Sequence, residues 1–281
     1  MSEHRPALEN LQAYADHLRL EEKSAATVEK YLRDVRAFAR WLEGREITKE
    51  RTAAWKTHLV ERGYAPASVN AMLSALNSLL DFLGFGDCRV KFLKVQRRMF
   101  RDDSRDLTRS DYNALTAAAK AQNKTRLALL MEAICATGIR VSEVQYITVE
   151  AARAGRAEVA LKGKIRTILI PSKLCRKLLK YAKQQKTASG EIFLTRNGTP
   201  LSRRQIWAEM KGLCKTAGVA ASKVFPHNLR HLFAAAFYRA SRDIVKLADV
   251  LGHSSLETTR IYLLTSGAEH QRQLDRLGLV S

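Results

Sequence analysis

Apolar residues in the first part of the chain recur at three- and four-residue steps, which is the period of an amphipathic helix. The clearest stretch runs from Ser24 to Gly44. Similar stripes run from Leu8 to Leu18, from Glu50 to Arg62 and from Ala67 to Leu83. Four helices of this kind can bury their apolar faces against one another. The pattern therefore predicts a compact all-α domain over residues 1–88.

The next segment, residues 89–106, loses this periodicity and is dominated by basic side chains. Seven basic residues lie between positions 89 and 105, against two aspartates. Such a run is either a solvated surface strip or a linker that follows DNA phosphates. The whole chain carries a net charge of +20, which favours the linker. We therefore select Arg97 and Arg98 as candidate DNA contacts.

A second domain, residues 107–281, is predicted to combine helices with a small β-hairpin. Thr108 and Asp111 have the spacing of a helix capping box. Between positions 156 and 171, apolar and polar residues alternate on both sides of a Lys-Gly-Lys turn, a pattern typical of two short strands. The expected fold class is therefore mainly α, with a four-helix N-terminal domain and a mixed α/β C-terminal domain.

A row of basic residues follows the predicted hairpin at helical spacing, without an acidic residue among them, while leucines form the opposite stripe. This row is either a solvated helix face or a surface that contacts phosphates, and the sequence leaves both interpretations open. The candidate DNA contacts on it are Lys173, Lys177 and Lys180.

The charge of the chain narrows the class of partner. Among 281 residues, 48 are Lys or Arg and 28 are Asp or Glu, which gives a net charge of +20. Such a charge attracts polyanions, namely DNA, RNA or an anionic membrane surface. No apolar run is long enough to cross a bilayer, and residues 1–10 lack the apolar core of a secretion signal. We therefore expect a cytoplasmic protein that binds nucleic acid rather than membrane.

Histidine and arginine are concentrated at helical spacing in the C-terminal third. His227 and Arg230 lie three residues apart, so on a helix they share one face and can contact the same anion. Arg140 adds a second guanidinium group, and two such groups can bind both non-bridging oxygens of a phosphodiester. His231 and His227 have the spacing of a zinc-binding pair, but Arg230 between them repels a cation. We therefore predict no metal site, and structural roles for His231 and Glu143.

These segments resemble the tyrosine recombinase family, also called the phage integrase family. The family's TGxRxSE turn, hairpin lysine, HxLRH, LGH and later tyrosine occur here in the same order. The corresponding candidate catalytic residues are Arg140, Lys162, His227, Arg230, His253 and Tyr262. Lys162 and Lys164 flank Gly163, so either ammonium group can project from the turn, and the family's Lys-Gly dipeptide favours Lys162.

The resemblance implies a specific reaction with no metal and no cofactor. Tyr262 would attack a phosphodiester and form a 3′-phosphotyrosyl bond, with His227 accepting the phenol proton. Lys162 would protonate the leaving 5′-oxygen, and His253 would donate a hydrogen bond to a non-bridging oxygen. Integration, excision and resolution of DNA through a Holliday junction all fit this chemistry. The alternatives are a type IB topoisomerase and a catalytically inert DNA-binding protein on the same scaffold.

The resemblance also implies how the protein assembles. The N-terminal domain resembles the family's core-binding domain, which together with the catalytic domain clamps duplex DNA carrying specific sites. The tail, residues 267–281, is expected to dock either on its own domain or on a neighbour, and docking on a neighbour would give a tetramer on DNA. Accessory proteins are possible partners, and the target sequence cannot be read from the chain.

Overall fold

The chain divides into two compact units, residues 1–97 and residues 98–281. The computed structural model describes residues 11–95, 103–161, 164–262, 271–272 and 275–277. The boundary between the two units falls within the basic segment, residues 89–106. Arg97 and Arg98, the candidate DNA contacts in that segment, lie outside the described residues.

Four α-helices form the described part of the first unit, and this part of the predicted fold is confirmed. The bounds are Leu11–Leu20 (α1), Ala25–Leu42 (α2), Lys49–Glu61 (α3) and Pro66–Phe82 (α4), followed by a 3-10 turn at Gly86–Cys88. Phe38, Trp55 and Leu73 belong to one buried cluster, and Tyr14 and Leu79 belong to a second. Full burial of such a side chain contributes about 1.5 to 3 kcal/mol. The apolar stripes therefore provide the core of this unit.

Two asparagines on α4 fix the segment that follows the helices. Asn77 donates to the Val90 carbonyl at 2.9 Å and accepts from the Val90 amide at 2.9 Å. Two helical turns earlier, Asn70 makes the same pair of bonds with Leu93, at 3.0 and 2.8 Å. Because each amide side chain replaces a backbone partner, the segment lies along α4. The first unit therefore extends beyond residue 88.

The second unit contains nine described α-helices and two strands, and the small sheet in a mainly helical fold is confirmed. Its helices and strands are Arg109–Ala121 (α5), Thr125–Thr137 (α6), Val149–Ala154 (α7), Arg156–Leu161 (β1), Lys164–Leu169 (β2), Ser172–Gln184 (α8), Arg203–Lys211 (α9), Cys214–Ala217 (α10), Pro226–Ser241 (α11), Ile244–Leu251 (α12) and Leu256–Arg260 (α13). Short 3-10 turns lie at Asp103–Arg105, Val141–Tyr146 and Ala221–Lys223. The capping box predicted from Thr108 and Asp111 begins α5.

Helix α6 is the centre of this unit. It packs against α5, α8 and α11, and residues 127–131 are buried in succession, with Leu130, Met131 and Ile134 at 0% exposure. This is why the helix shows no one-sided stripe in the sequence. In the described part of the chain, neither α6 nor another helix is long and apolar enough to cross a membrane.

The two strands form an antiparallel pair. The register runs from Arg156 opposite Leu169 to Leu161 opposite Lys164. Val159 and Ile168 face the core of the unit and are nearly completely buried. The hairpin therefore anchors its inner face in the same core as α6.

The turn after α6 brings the chain very close to α11. Gly138 ends α6 with φ +65°, a backbone conformation that residues with a side chain rarely adopt. A Cβ at this position would lie 2.4 Å from Cδ1 of Phe233 on α11. Only glycine fits both requirements. As a result, Arg140 follows directly beside the helix that carries His227 and Arg230.

Candidate active site

Arg230 is an almost completely buried charged residue of the site. It lies on α11, is 2% exposed, and its Nη1 donates to the Gly138 carbonyl at 2.5 Å. Its Nη2 donates to the Leu251 carbonyl at 2.8 Å and contacts Nε2 of His253 at 2.9 Å. Burial lowers the pKa of Arg230, although an arginine remains protonated at neutral pH. These bonds fix one guanidinium group between the end of α6, the end of α12 and His253.

Tyr262 lies just after α13 and is surrounded by histidines. Its ring centroid is 4.3 Å from that of His231, 5.7 Å from that of His253 and 6.2 Å from that of His227. The His253 and Tyr262 rings are nearly parallel, at 13°. Tyr262 is 5% exposed and packs in a small apolar cluster with Leu251. The structure therefore places the predicted nucleophile among three imidazoles.

His253 is held by a hydrogen bond at each ring nitrogen. Nε2 lies 2.9 Å from Nη2 of Arg230, and Nδ1 lies 2.9 Å from Oγ1 of Thr259. The pKa of His253 is lowered to about 4, first by burial and then by the positive charges of Arg230, Arg140 and Arg166. The imidazole is therefore neutral at physiological pH.

Arg140 is positioned by a buried carboxylate. Glu143, 2% exposed, accepts from the Arg140 amide at 2.7 Å and from its Nη1 at 2.9 Å. The Arg140 side chain keeps 43% exposure, so its remaining donors face solvent. Glu143 thus acts on Arg140 as a structural partner, in line with its predicted role.

A third arginine, Arg166 on β2, belongs to the same network and is not among the residues that the motifs predict. Its Nη2 donates to Glu143 at 2.6 Å, and its Nη1 donates to the Val250 carbonyl at 3.3 Å. Burial lowers its pKa, and the neighbouring Glu143 charge opposes this shift. The sequence contains one indication of this position. Arg166 lies two residues before the apolar Ile168 on β2, so both side chains are on the inward face of the strand. A charge at such a position needs a buried partner.

The structure brings together five of the six predicted catalytic residues, and the sixth lies outside the described residues. Arg140, Arg230, His253 and Tyr262 converge as above, and His227 stands 4.7 Å from His231 between ring centroids. Lys162 is in the turn of the hairpin that is not described, and Lys164 is described only by its backbone pairing with Leu161. The choice between the two lysines stays a prediction.

The predicted phosphate-contacting lysines of α8 have different environments. Lys173, Lys177 and Lys180 are exposed. Lys177 Nζ lies 2.5 Å from the Glu132 carboxylate, which Lys120 also approaches at 3.4 Å. This ion pair competes with phosphate for Lys177, whereas the charge of the row as a whole remains positive.

Comparison with protein families decides the classification. The model of the phage integrase family matches residues 105–268, more than half of the chain. The chain belongs to the phage integrase family. A second model, for the N-terminal SAM-like domain of phage integrases, matches residues 11–84. The resemblance found in the motifs is therefore confirmed, and the protein is a site-specific recombinase of the tyrosine class.

Individual phage integrase relatives match the chain over nearly its full length. Tyrosine recombinase XerA of Thermococcus kodakarensis is 30% identical over 282 residues, which cover 97% of this chain and 95% of that protein. Tyrosine recombinase XerD of Brucella suis is 31% identical over 271 residues, covering 86% and 88%. A lambda integrase tetramer bound to a Holliday junction shares the fold, with a TM-score of 0.73, 21% identity, and coverage of 93% of this chain and 78% of that one.

Proposed function

We propose that this recombinase cuts DNA with Tyr262 as nucleophile, forms a 3′-phosphotyrosyl intermediate and exchanges strands through a Holliday junction. The observation that carries the proposal is the position of the Tyr262 ring, which lies among His227, His231 and His253 next to the buried Arg230. A phenol buried in a cationic pocket is suited to attack an anionic phosphodiester. The covalent bond conserves the energy of the broken one, so a 5′-hydroxyl can reverse the step without ATP.

In this proposal, Arg140 and Arg230 bind the non-bridging oxygens of the scissile phosphate. Arg140 has exposed donors held in place by Glu143, and Arg230 is fixed by two backbone carbonyls. A positioned donor of this kind typically lowers the barrier by about 3 to 4 kcal/mol. Two permanent positive charges can balance the charge of the pentavalent phosphate. We therefore infer that the reaction requires neither metal nor nucleotide.

The two proton transfers fall to His227 and a lysine of the hairpin. His227 is proposed to accept the Tyr262 proton, although the His231 ring lies closer to the phenol ring, at 4.3 Å against 6.2 Å. The two histidines are therefore to be compared directly by substitution. Lys162 is proposed as the acid that protonates the 5′-oxygen, with Lys164 as its alternative. General acid catalysis of this kind contributes about 10²- to 10⁴-fold.

The proposed substrate is duplex DNA that carries specific recombination sites, bound by a tetramer. The +20 charge supports a polyanionic partner, and a lambda integrase of the same fold has been captured as a tetramer on a Holliday junction. We propose that the N-terminal unit clamps the duplex and that Arg97, Arg98, Lys173, Lys177 and Lys180 contact its phosphates. The tail from residue 267 would link neighbouring subunits, and accessory proteins would select the outcome.

A covalent-capture experiment tests this function. DNA ends trapped on the protein in cells define the site, and a nicked duplex carrying that site is then incubated with the purified protein in EDTA without ATP. We expect a covalent adduct with the parent and with Tyr64→Phe, which removes an exposed hydroxyl of the first unit, but none with Tyr262→Phe. Binding without an adduct from the parent protein would identify an inert DNA-binding protein. Relaxation of supercoiled DNA that lacks the site would identify a topoisomerase.

A further inference from the structure

Thr259 is a buried polar residue placed between His253 and the nucleophile. It is 0% exposed, and its hydroxyl lies 2.9 Å from Nδ1 of His253. Its carbonyl accepts a hydrogen bond from the Tyr262 amide at 3.0 Å. Its neighbour Thr258 is exposed and takes no part in these contacts. Thr259 therefore touches the imidazole through its side chain and the nucleophile's backbone through its own.

The contacts of His253 determine which ring nitrogen carries the proton. A guanidinium group only donates hydrogen bonds, so Nε2 of His253 must accept from Arg230. The ring is neutral, since burial and the surrounding arginines lower its pKa to about 4. A neutral imidazole with an accepting Nε2 carries its proton on Nδ1. Nδ1 therefore donates to the Thr259 hydroxyl in the DNA-free protein.

Phosphate binding requires the opposite arrangement. A non-bridging oxygen accepts hydrogen bonds, so His253 can bind it only through a protonated nitrogen. Nδ1 faces the buried Thr259, which leaves Nε2 as the nitrogen on the side of Arg230 and the phosphate. With the proton on Nε2, Nδ1 becomes an acceptor. The Thr259 hydroxyl can follow by rotating, because a hydroxyl both donates and accepts.

We propose that Thr259 is a positioning residue that supports both tautomers of His253, so that the imidazole changes from accepting the Arg230 bond to donating one to the scissile phosphate. This inference rests on the proposed function. The exchange is balanced: Nδ1 releases one proton to solvent, Nε2 takes one up, and the Thr259 hydroxyl keeps its own. The other groups that face the ring are Arg140, Arg166, His227 and Tyr262, which do not replace the bond to Nδ1.

Nitrogen-15 NMR of the histidine rings tests the tautomer in the intact protein. Loss of a signal pair in His253→Gln assigns the His253 resonances. We expect the DNA-free protein to show Nδ1 protonated and Nε2 unprotonated, in the parent, in Thr259→Ser and in Thr258→Val. In DNA-free Thr259→Val the tautomer should stay the same, because Arg230 still makes Nε2 an acceptor, but the Nδ1 resonance should shift because its hydrogen-bond partner is lost. A parent ring protonated on Nε2, or an Nδ1 resonance that is identical in Thr259→Val and the parent, would overturn the proposal, whether or not the protein cleaves DNA.

Cleavage kinetics test the consequence for catalysis. Thr259→Val should lower the rate of covalent adduct formation by about 10- to 100-fold, less than loss of a direct oxyanion donor. Thr259→Ser should stay within about threefold of the parent, and Thr258→Val should be unchanged. DNA binding and thermal unfolding are measured for each variant, and if Thr259→Val does not fold, Thr259→Ala takes its place. Equal rates for the valine variants at 258 and 259 would refute the role of Thr259.

Discussion

Replacement of Gly252 by alanine should disrupt the network that holds Arg140. Gly252 ends α12 with φ +64°, and a Cβ there would lie 2.4 Å from Cδ and 2.8 Å from Nη1 of Arg166. Arg166 in turn contacts the buried Glu143 at 2.6 Å, and Glu143 holds Arg140. The added methyl group therefore acts on a guanidinium group that is itself part of a buried ion pair.

The expected loss of stability has two parts. A residue with a side chain in the left-handed region costs about 1 to 2 kcal/mol relative to glycine. Forced overpacking of a well-packed site adds about 1 to 3 kcal/mol. Gly252→Ala should therefore lower the free energy of unfolding of the second unit by about 2 to 5 kcal/mol. Gly155 is a matched control, because it has φ +70° and no atom within 4 Å of its ideal Cβ.

A double-mutant cycle in urea separates the two parts. Unfolding of the full-length protein is followed by hydrogen exchange of peptides from the second unit. Gly155→Ala should lower the free energy of unfolding only by the cost of the left-handed backbone, both in the parent and in an Arg166→Ala background. In the parent, Gly252→Ala should lower the free energy of unfolding more than Gly155→Ala does. In the Arg166→Ala background the two substitutions should lower it equally, because the Arg166 atoms that the new Cβ would meet are absent. Equal costs of Gly252→Ala in both backgrounds would refute the proposed contact with Arg166.

Three further predictions follow from the proposed chemistry. Arg140→Ala and Arg230→Ala should each slow adduct formation by about 10²- to 10³-fold. DNA affinity, measured by gel shift, should change little, and rates of adduct formation within tenfold of the parent would contradict phosphate binding by these two arginines. Cleavage by Lys162→Ala should be rescued by a 5′-phosphorothiolate substrate, because sulfur leaves without protonation, whereas rescue of Lys164→Ala instead would reassign the acid. A chain ending at Ser266 should bind single sites but lose cooperative assembly in light scattering, and synaptic complexes at the parental level would remove the tail from the coupling.

The sequence predicted those parts of the fold that depend on local pattern. The periodic stripe from Ser24 to Gly44 became α2, and the alternation around residues 162–164 became the β1 and β2 pair. Gly138 could be predicted to end α6, since glycine is the usual residue at such a position. Its second requirement, the close approach of Phe233, could not be predicted, because the two residues are distant in the chain.

The parts of the site that were missed depend on contacts between distant segments. Arg166 meets Glu143 across 23 positions, and the direction of that side chain is known only once the hairpin is packed. Thr259 is close to His253 in sequence, yet its role depends on Arg230 occupying the other ring nitrogen. The motif order therefore identified which residues meet, whereas the hydrogen bonds that orient them required the folded chain.

Peptide mapping of a trapped adduct identifies the nucleophile directly. The protein is captured on a nicked duplex, the DNA is trimmed by nuclease, and trypsin is expected to release residues 261–272, in which Tyr262 is the only tyrosine. We predict that this peptide carries the mass of a 3′-linked nucleotide, with fragment ions that place it on Tyr262. A nucleotide on another tyrosine, or on a serine or histidine, would contradict it.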